Sequence, residues 1–162
     1  MKTESRIYVG TYAKYNDGNL FGKWVDLSDF SDKDEFIEAC LELHNDEDDP
    51  ELMFQDWENI PDCYISESWI DEEFWDVLNS DVDFDAFTAF IEMRGSGDIS
   101  EFEDAFMGVY DSEEDFAEQL FDDLYLHEVP EFLTNYIDYN SFARDIFCGD
   151  YYFEDGYVFR NI

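Results

Sequence analysis

The sequence RIYVGTYAKYNDGNLFGKWVDL, at residues 6–27, decides the fold of the first part of the chain. Arg6–Tyr12 is rich in residues that favour strands, and Asn16-Asp17-Gly18-Asn19 is a cluster of turn residues. Leu20–Leu27 returns as a second strand that contains Gly22. The pattern predicts a β-hairpin near the start of the protein.

A helix and a third strand are predicted to complete a first α+β unit over residues 1–61, with a short antiparallel sheet. Ser31-Asp32-Lys33-Asp34 has the form of a capping box, so a helix should follow it. Asn45–Pro50 (NDEDDP) is predicted to be a loop, and Leu52–Ile60 a strand. The apolar positions predicted to share one face of the helix are Phe36, Ile37, Cys40 and Leu41.

The pattern becomes helical after Pro61. Helices are predicted over Ser68–Leu78 (SWIDEEFWDVL), over Phe84–Arg94 up to Gly95, and over Ile99–Phe106. Residues 62–106 should therefore form a helical middle unit.

Residues 107–162 are predicted to form a second α+β unit. Pro130 suits the first turn of a helix, and Glu154-Asp155-Gly156 suits a hairpin turn. The predicted elements are a strand over Met107–Tyr110, a helix from Ser112 to about Leu124, helices over Glu131–Tyr136 and Ser141–Phe147, and a terminal hairpin of Asp150–Phe153 with Tyr157–Arg160.

The charge of the chain is extreme, yet its composition predicts a folded protein. Only 8 Lys and Arg oppose 44 Asp and Glu, which gives a formal net charge of -36. Acidic disordered segments are poor in aromatic residues, whereas 20% of this chain is aromatic and 45% is hydrophobic. Large rings bury much apolar surface per residue and can hold a charged chain together.

The distribution of the charge indicates a function. Between Asp34 and Ala143 there are 35 acidic residues, and Arg94 is the single basic one. Self-repulsion on this scale destabilises a compact state, and helical Lys partners would relieve it. The absence of such lysines indicates that the uncompensated negative field has a function of its own. The field excludes direct binding to nucleic acid or to an anionic membrane, and favours a strongly basic partner surface.

The acidic runs of the three predicted units are the candidate partner-binding surface. A charge run is usually only a solvated face, but these runs have almost no counter-charge. The candidates are Asp46, Glu47, Asp48, Asp49, Glu51, Asp71, Glu72, Glu73, Asp76, Asp81, Asp83, Glu113, Glu114, Asp115, Glu118, Asp122 and Asp123.

No enzyme, cofactor or specific metal site is predicted. Asp81–Asp85 alternates like the start of an EF-hand, but Ala86 stands where that loop needs Gly. His44 and His127 are isolated in the sequence, and Gly95-Ser96-Gly97 lacks the lysine of a phosphate-binding loop. Low-affinity buffering of cations by the carboxylates stays open.

The cysteines and the start of the chain favour the cytoplasm. Three cysteines, Cys40, Cys63 and Cys148, form no disulfide framework, which indicates reduced thiols. The first ten residues, MKTESRIYVG, lack the apolar core of a signal peptide, and no apolar run approaches the length of a membrane span.

The net charge can be compared with the charge density of duplex DNA to predict the length of the protein. Duplex DNA carries one charge per about 1.7 Å, so 36 charges at that density cover about 61 Å. A compact globule of this length is only about 40 Å across. A monomer that imitates the charge density of DNA should therefore be elongated, and a dimer should span about 120 Å, or roughly 36 base pairs.

Several blocks of the sequence resemble the ArdA antirestriction family. RIYVGTYAKYNDGNLFGKWVDL is similar to the family's opening pattern, and MFQDWENIP (53–61) to a later block. PEFLTNYIDYNSFARDIF (130–147) contains the YIDY and ARD elements of its antirestriction motif, and FEDGYVF (153–159) also fits. The resemblance covers essentially the whole chain.

The resemblance implies a homodimer, encoded on a plasmid or transposon, that mimics bent B-DNA and inhibits Type I restriction–modification enzymes. It implies an elongated, curved chain of three small units, and places a motif for dimerisation and inhibition at Leu126–Phe147. Within that stretch the candidates are Leu133, Tyr136, Ile137, Asp138, Tyr139, Phe142 and Arg144. The alternative is an acidic binding protein or chaperone for another basic DNA-binding protein.

Overall fold

The computed structural model describes residues 4–162 and has an α+β fold with small antiparallel sheets. The chain divides into two compact units, and each is described by itself. Unit 1 ends at Phe84 and unit 2 covers Asp85–Ile162. The three-unit division with boundaries near Asp62 and Met107 stays a prediction.

Unit 1 contains a three-stranded antiparallel sheet with the strand order β2-β1-β3. The strands are β1 (Arg6–Thr11), β2 (Lys23–Asp26) and β3 (Leu52–Glu58). The predicted hairpin and third strand are confirmed. The second strand is shorter than predicted, because Leu20 and Phe21 lie outside it with 64% and 45% of their surface exposed.

Two helices of unit 1 follow its first and second strands. The short helix α1 (Tyr12–Asn16), which the sequence did not predict, begins after Thr11, whose hydroxyl accepts a hydrogen bond from the backbone N–H of Lys14. The predicted helix is α2 (Lys33–Leu43), and the Asp32 side chain caps it.

The buried face of α2 is narrower than predicted. Phe36 and Cys40 are fully buried, and the ring of Phe36 lies 5.7 Å from that of Trp75 and 6.0 Å from that of Phe54. Ile37 is half-buried and Leu41 is 39% exposed, so the burial of the predicted apolar face decreases from Phe36 and Cys40 to Leu41.

The prediction of one helix over Ser68–Leu78 is wrong in its first part. Strands β4 (Ile65–Ser66) and β5 (Trp69–Ile70) pair as a small hairpin, and α3 begins only at Glu73 and ends at Asn79. The apolar spacing of the run suits a helix, but pairing with the preceding residues decides the conformation of Trp69 and Ile70.

Unit 2 begins within α4 (Phe84–Arg94), whose bounds are those predicted. Gly95 ends this helix with a φ of 86°, a conformation that favours glycine. Helix α5 (Ile99–Ala105) has a capping box between Asp98 and Glu101. The rings of Phe90, Phe102 and Phe159 then form an aromatic core, with centroids 5.6 to 6.3 Å apart.

A second three-stranded antiparallel sheet, in the order β6-β8-β7, supports unit 2. Its strands are β6 (Phe106–Val109), β7 (Tyr151–Glu154) and β8 (Tyr157–Arg160). The predicted terminal hairpin is confirmed, and its turn places Asp155 and Gly156 at positive φ of 49° and 88°, as a tight hairpin turn requires.

Two helices pack on this sheet: α6 (Glu113–Leu124) and α7 (Tyr139–Ile146). Between them Leu126–Glu128 and Glu131–Tyr136 form 3-10 turns, so the helix predicted over Glu131–Tyr136 is present with those bounds, in 3-10 form. Pro130 lies before that turn with an extended ψ of 135°, and not inside it. None of the helices in residues 4–162 is long and apolar enough to cross a membrane.

Candidate functional site: an acidic surface and an exposed aromatic turn

The candidate carboxylates lie on the surfaces of both units. All of them are exposed except Glu47, Asp71 and Asp122, which are half-buried. They occupy loops and the outer faces of short helices whose opposite faces carry the aromatic core. The fold thus separates apolar rings and acidic groups into inside and outside.

On α3 the separation follows the helical period. Phe74, Trp75 and Val77 are buried, while Glu72, Glu73 and Asp76 are exposed. Asp71 precedes the helix and is half-buried, and its carboxylate accepts a 3.1 Å hydrogen bond from the backbone N–H of Glu73. The following loop exposes Asp81 and Asp83.

Helix α6 shows the same arrangement in unit 2. Phe116 and Ala117 are buried against Ala143 and Ile146 of α7. The acidic residues that face outward are Glu113, Glu114, Asp115, Glu118 and Asp123. The first three lie in the first helical turn, where the positive end of the helix dipole stabilises negative charge.

The acidic loop after α2 is anchored on a buried lysine. The ammonium of Lys14 lies 2.9 Å from Asp46 Oδ1, 2.9 Å from Glu47 Oε1 and 3.0 Å from His44 Nδ1. Thr11 donates a 2.6 Å hydrogen bond to the same Glu47 oxygen. Asp46 and Glu47 are therefore partly engaged inside unit 1, whereas Asp48, Asp49 and Glu51 are exposed.

These contacts shift the pKa values of the groups involved. Burial acts to lower the pKa of Lys14, but its hydrogen bonds with Asp46 and Glu47 raise it above the ordinary value. The bond with Lys14 lowers the pKa of Asp46. The bonds with Thr11 and then Lys14 lower that of Glu47. All three groups are thus held in their charged forms near neutral pH.

The stretch that resembles the antirestriction motif divides into an exposed part and a packed part. In the 3-10 turn before α7, Phe132 is 75%, Leu133 41% and Tyr136 81% exposed. Because 3-10 geometry places residues three apart on one side, Leu133 and Tyr136 lie on the same side of the turn. We call Phe132, Leu133 and Tyr136 the exposed turn.

The packed part holds α7 against α6. Tyr139 donates a 2.7 Å hydrogen bond to Asp122. The rings of Tyr139 and Phe142 each pack edge-to-face with that of Phe121, with centroid distances of 5.7 and 5.3 Å. The bond to Asp122 raises the pKa of Tyr139 to about 12. Ile137 is half-buried.

Polar residues of the same stretch organise the start of α7. The Asp138 carboxylate accepts hydrogen bonds from the backbone N–H of Ser141 at 3.0 Å and from its hydroxyl at 2.8 Å. The pKa of Asp138 is lowered by these bonds. Arg144 donates to the Ser141 hydroxyl at 3.0 Å and is exposed.

Phe132 and Lys14 are the residues that the sequence predictions missed. Phe132 lies directly after Pro130-Glu131, and a helical interpretation of that segment gave no reason to single it out. Lys14 is close in the sequence to none of its three partners, which are about 30 residues away. His44, predicted to be structural or exposed, is fully buried and lies 3.1 Å from the Val9 carbonyl through Nε2.

The acidic side chains that the structure describes do not form a metal site. Within residues 4–162, no group of three or more His, Cys, Asp or Glu side chains is arranged to hold a metal ion. The run Asp81–Asp85 includes the first residues of α4, so it does not form an EF-hand loop.

Comparison with known proteins identifies the family. The sequence model described as "ArdA: Antirestriction protein (ArdA)" matches residues 7–159, nearly the whole chain. No curated protein matches the chain. The match covers both units, including the acidic loops, the exposed turn and α7. The chain belongs to the ArdA antirestriction protein family.

Proposed function

We propose that this chain inhibits Type I restriction–modification enzymes in the cytoplasm by occupying their DNA-binding groove as a mimic of duplex DNA. Family membership implies antirestriction activity and a restriction–modification enzyme as the partner. One observation carries the mechanism: the candidate carboxylates are exposed on both units, while aromatic rings fill the cores.

The few cations of the chain do little to interrupt this negative surface. Lys14 is buried, and Arg6 forms a 2.7 Å ion pair with Glu58. Arg160 donates to the backbone carbonyl of Asp104. With 44 acidic residues against 8 basic ones, the surface field of each unit is negative.

A DNA-binding groove provides many Lys and Arg side chains that contact phosphates one by one. Each exposed charge pair contributes little, roughly 0.2 to 1 kcal/mol, so affinity comes from their number. Carboxylates spread over both units would engage the same cations. The inhibitor therefore needs no reaction, cofactor or metal ion.

We also propose that the active form is a homodimer that uses the exposed turn. Three exposed apolar side chains on one short turn suit a self-complementary patch across a two-fold axis. Two monomers with a net charge of -36 repel each other, so an apolar contact away from the helical acidic faces is required. At the charge density of DNA the dimer would be elongated and span about 120 Å.

Steady-state kinetics of a Type I enzyme would test the proposal. The protein should raise the KM for duplex DNA and leave the kcat for methylation unchanged, because inhibitor and DNA compete for one groove. A lowered kcat at saturating DNA would contradict groove occupancy. Binding of the protein to duplex DNA itself would also contradict it, and is checked in the absence of enzyme.

A further inference from the structure

The amine of Lys14 is enclosed by three acceptors in unit 1. The residue is only 9% exposed, and the ring of Phe21 lies over the amine at 5.6 Å. An ammonium group has three N–H donors and no acceptor. The three acceptors within 3.0 Å are His44 Nδ1, Asp46 Oδ1 and Glu47 Oε1, so each N–H has one partner.

The tautomer of His44 follows from its other contact. The Val9 carbonyl lies 3.1 Å from Nε2 and can only accept, so Nε2 carries the hydrogen. Nδ1 is then the bare nitrogen that accepts from Lys14. His44 thus connects the lysine to β1 at the centre of the sheet.

The lysine contacts two carboxylates of the NDEDDP loop. Asp46 and Glu47 bind the amine, with Glu47 half-buried and Asp46 still exposed, and Asp48, Asp49 and Glu51 are exposed. The loop is fixed at its end as well, where the Tyr12 N–H donates to the Glu51 carbonyl at 3.0 Å. Lys14 therefore holds the loop at Asp46 and Glu47, between the end of α2 and the hydrogen bond at Glu51.

We propose that Lys14 is a positioning residue for inhibition: it binds the carboxylates of Asp46 and Glu47 and so fixes the backbone from which Asp48, Asp49 and Glu51 are presented to the target as a fixed group of charges. The inference rests on the proposed mimicry and adds to it that geometry matters as well as charge. A buried cation is costly unless it is fully paired, so its position here is consistent with a role in organising the loop.

Removal of Lys14 separates geometry from charge. Lys14→Met deletes a cation and makes the protein more negative. If total charge alone governed inhibition, this variant would inhibit as well as the wild type or better. If the lysine positions the loop, the variant inhibits less despite its greater charge.

The experiment measures competition of the full-length protein with a labelled duplex for a Type I methyltransferase core. Lys14→Met should compete about tenfold more weakly, the factor expected when a few exposed charge contacts are lost together. The matched control is Lys23→Met, which removes an exposed cation from β2 and should compete like the wild type. Hydrogen exchange at the amides of residues 46–49 and 51 should accelerate in Lys14→Met and stay unchanged in the control.

A second pair of variants covers the case in which Lys14→Met does not fold. Asp46→Ala and Asp48→Ala each remove one carboxylate from the same loop, but only Asp46 contacts Lys14. Asp46→Ala should weaken competition several-fold more than Asp48→Ala. Equal effects of the two, or undiminished competition by a folded Lys14→Met, would overturn the inference. Failure of the wild type to compete would instead overturn the proposed function.

Discussion

The hydroxyl of Tyr139 donates a 2.7 Å hydrogen bond to the carboxylate of Asp122, and so joins the first turn of α7 to α6. The bond leaves Asp122 half-buried, unlike its neighbour Asp123, which is exposed. Asp122, although a candidate for the partner-binding surface, therefore stabilises the packing of two helices within the monomer. Its removal should affect the packing of α7 more than the field that the target meets.

This bond predicts an unusual tyrosine titration. The pKa of Tyr139, about 12, exceeds its ordinary value of 10.0. Because the folded pKa is the higher one, the contribution to stability is complete below about pH 10 and is lost as pH rises through about 12. Asp122→Asn should return the pKa towards 10. The check is the tyrosinate absorbance of each protein minus that of its Tyr139→Phe counterpart; an identical titration with and without Asp122 would disprove the assignment.

The exposed turn predicts the location of the dimer contact. Tyr136→Glu should weaken the dimer by at least about thirtyfold in Kd, since a central aromatic contact contributes about 2 kcal/mol or more. Tyr15→Glu makes the same change at a residue that is 49% exposed in unit 1, and should leave the dimer intact. Sedimentation velocity over a concentration series distinguishes the two, and an unchanged Tyr136→Glu dimer would place the contact elsewhere.

The acidic surface predicts graded losses of inhibition. Single changes such as Asp49→Asn, Asp81→Asn or Glu114→Gln should each alter the inhibition constant by less than about fivefold, because one exposed charge contact contributes at most about 1 kcal/mol. Combined neutralisation of Glu72, Glu73 and Asp76 should weaken inhibition further, and the change in inhibition constant should be largest at low salt, where exposed charges are least screened.

A single dominant carboxylate would contradict a distributed binding surface. If one of these single changes abolished inhibition while fold and dimer stayed intact, a discrete recognition site would replace the distributed surface. Asp46 is unsuitable for this series because it binds Lys14.

The three cysteines predict an order of alkylation. Burial raises the pKa of Cys40 to about 12 and also raises that of the half-buried Cys63, while Cys148 is exposed. Since the thiolate is the reactive form, iodoacetamide at about pH 8 should modify Cys148 first and Cys40 only after unfolding. Mass spectrometry of a time course would show this order, and early modification of Cys40 would contradict its place in the core of unit 1.

Local signals explain what the sequence could predict. Helix α4 was predicted with its exact bounds because FDAFTAFIEMR has a strong apolar pattern and ends at Gly95. The terminal hairpin was predicted because Asp155-Gly156 is a specific turn pair. In both cases a few neighbouring residues suffice.

Contacts between distant segments explain what it could not predict. Trp69 and Ile70 lie in a run with helical spacing but pair with Ser66 and Ile65. The burial of Lys14 depends on one histidine and two carboxylates that follow the C-terminal end of α2, about 30 residues later in the sequence. Composition predicted the acidic surface, but it could not predict that Lys14 binds two carboxylates of the acidic loop.

Displacement of DNA at equilibrium shows whether the protein occupies the DNA-binding groove. A fluorescent duplex bound to a Type I methyltransferase core is titrated with the protein, and anisotropy is followed together with the mass of the complexes. We predict complete release of the duplex, with one inhibitor complex replacing the DNA complex and no species that contains both. A ternary complex of enzyme, DNA and inhibitor, or retention of the duplex at saturating protein, would contradict mimicry of DNA.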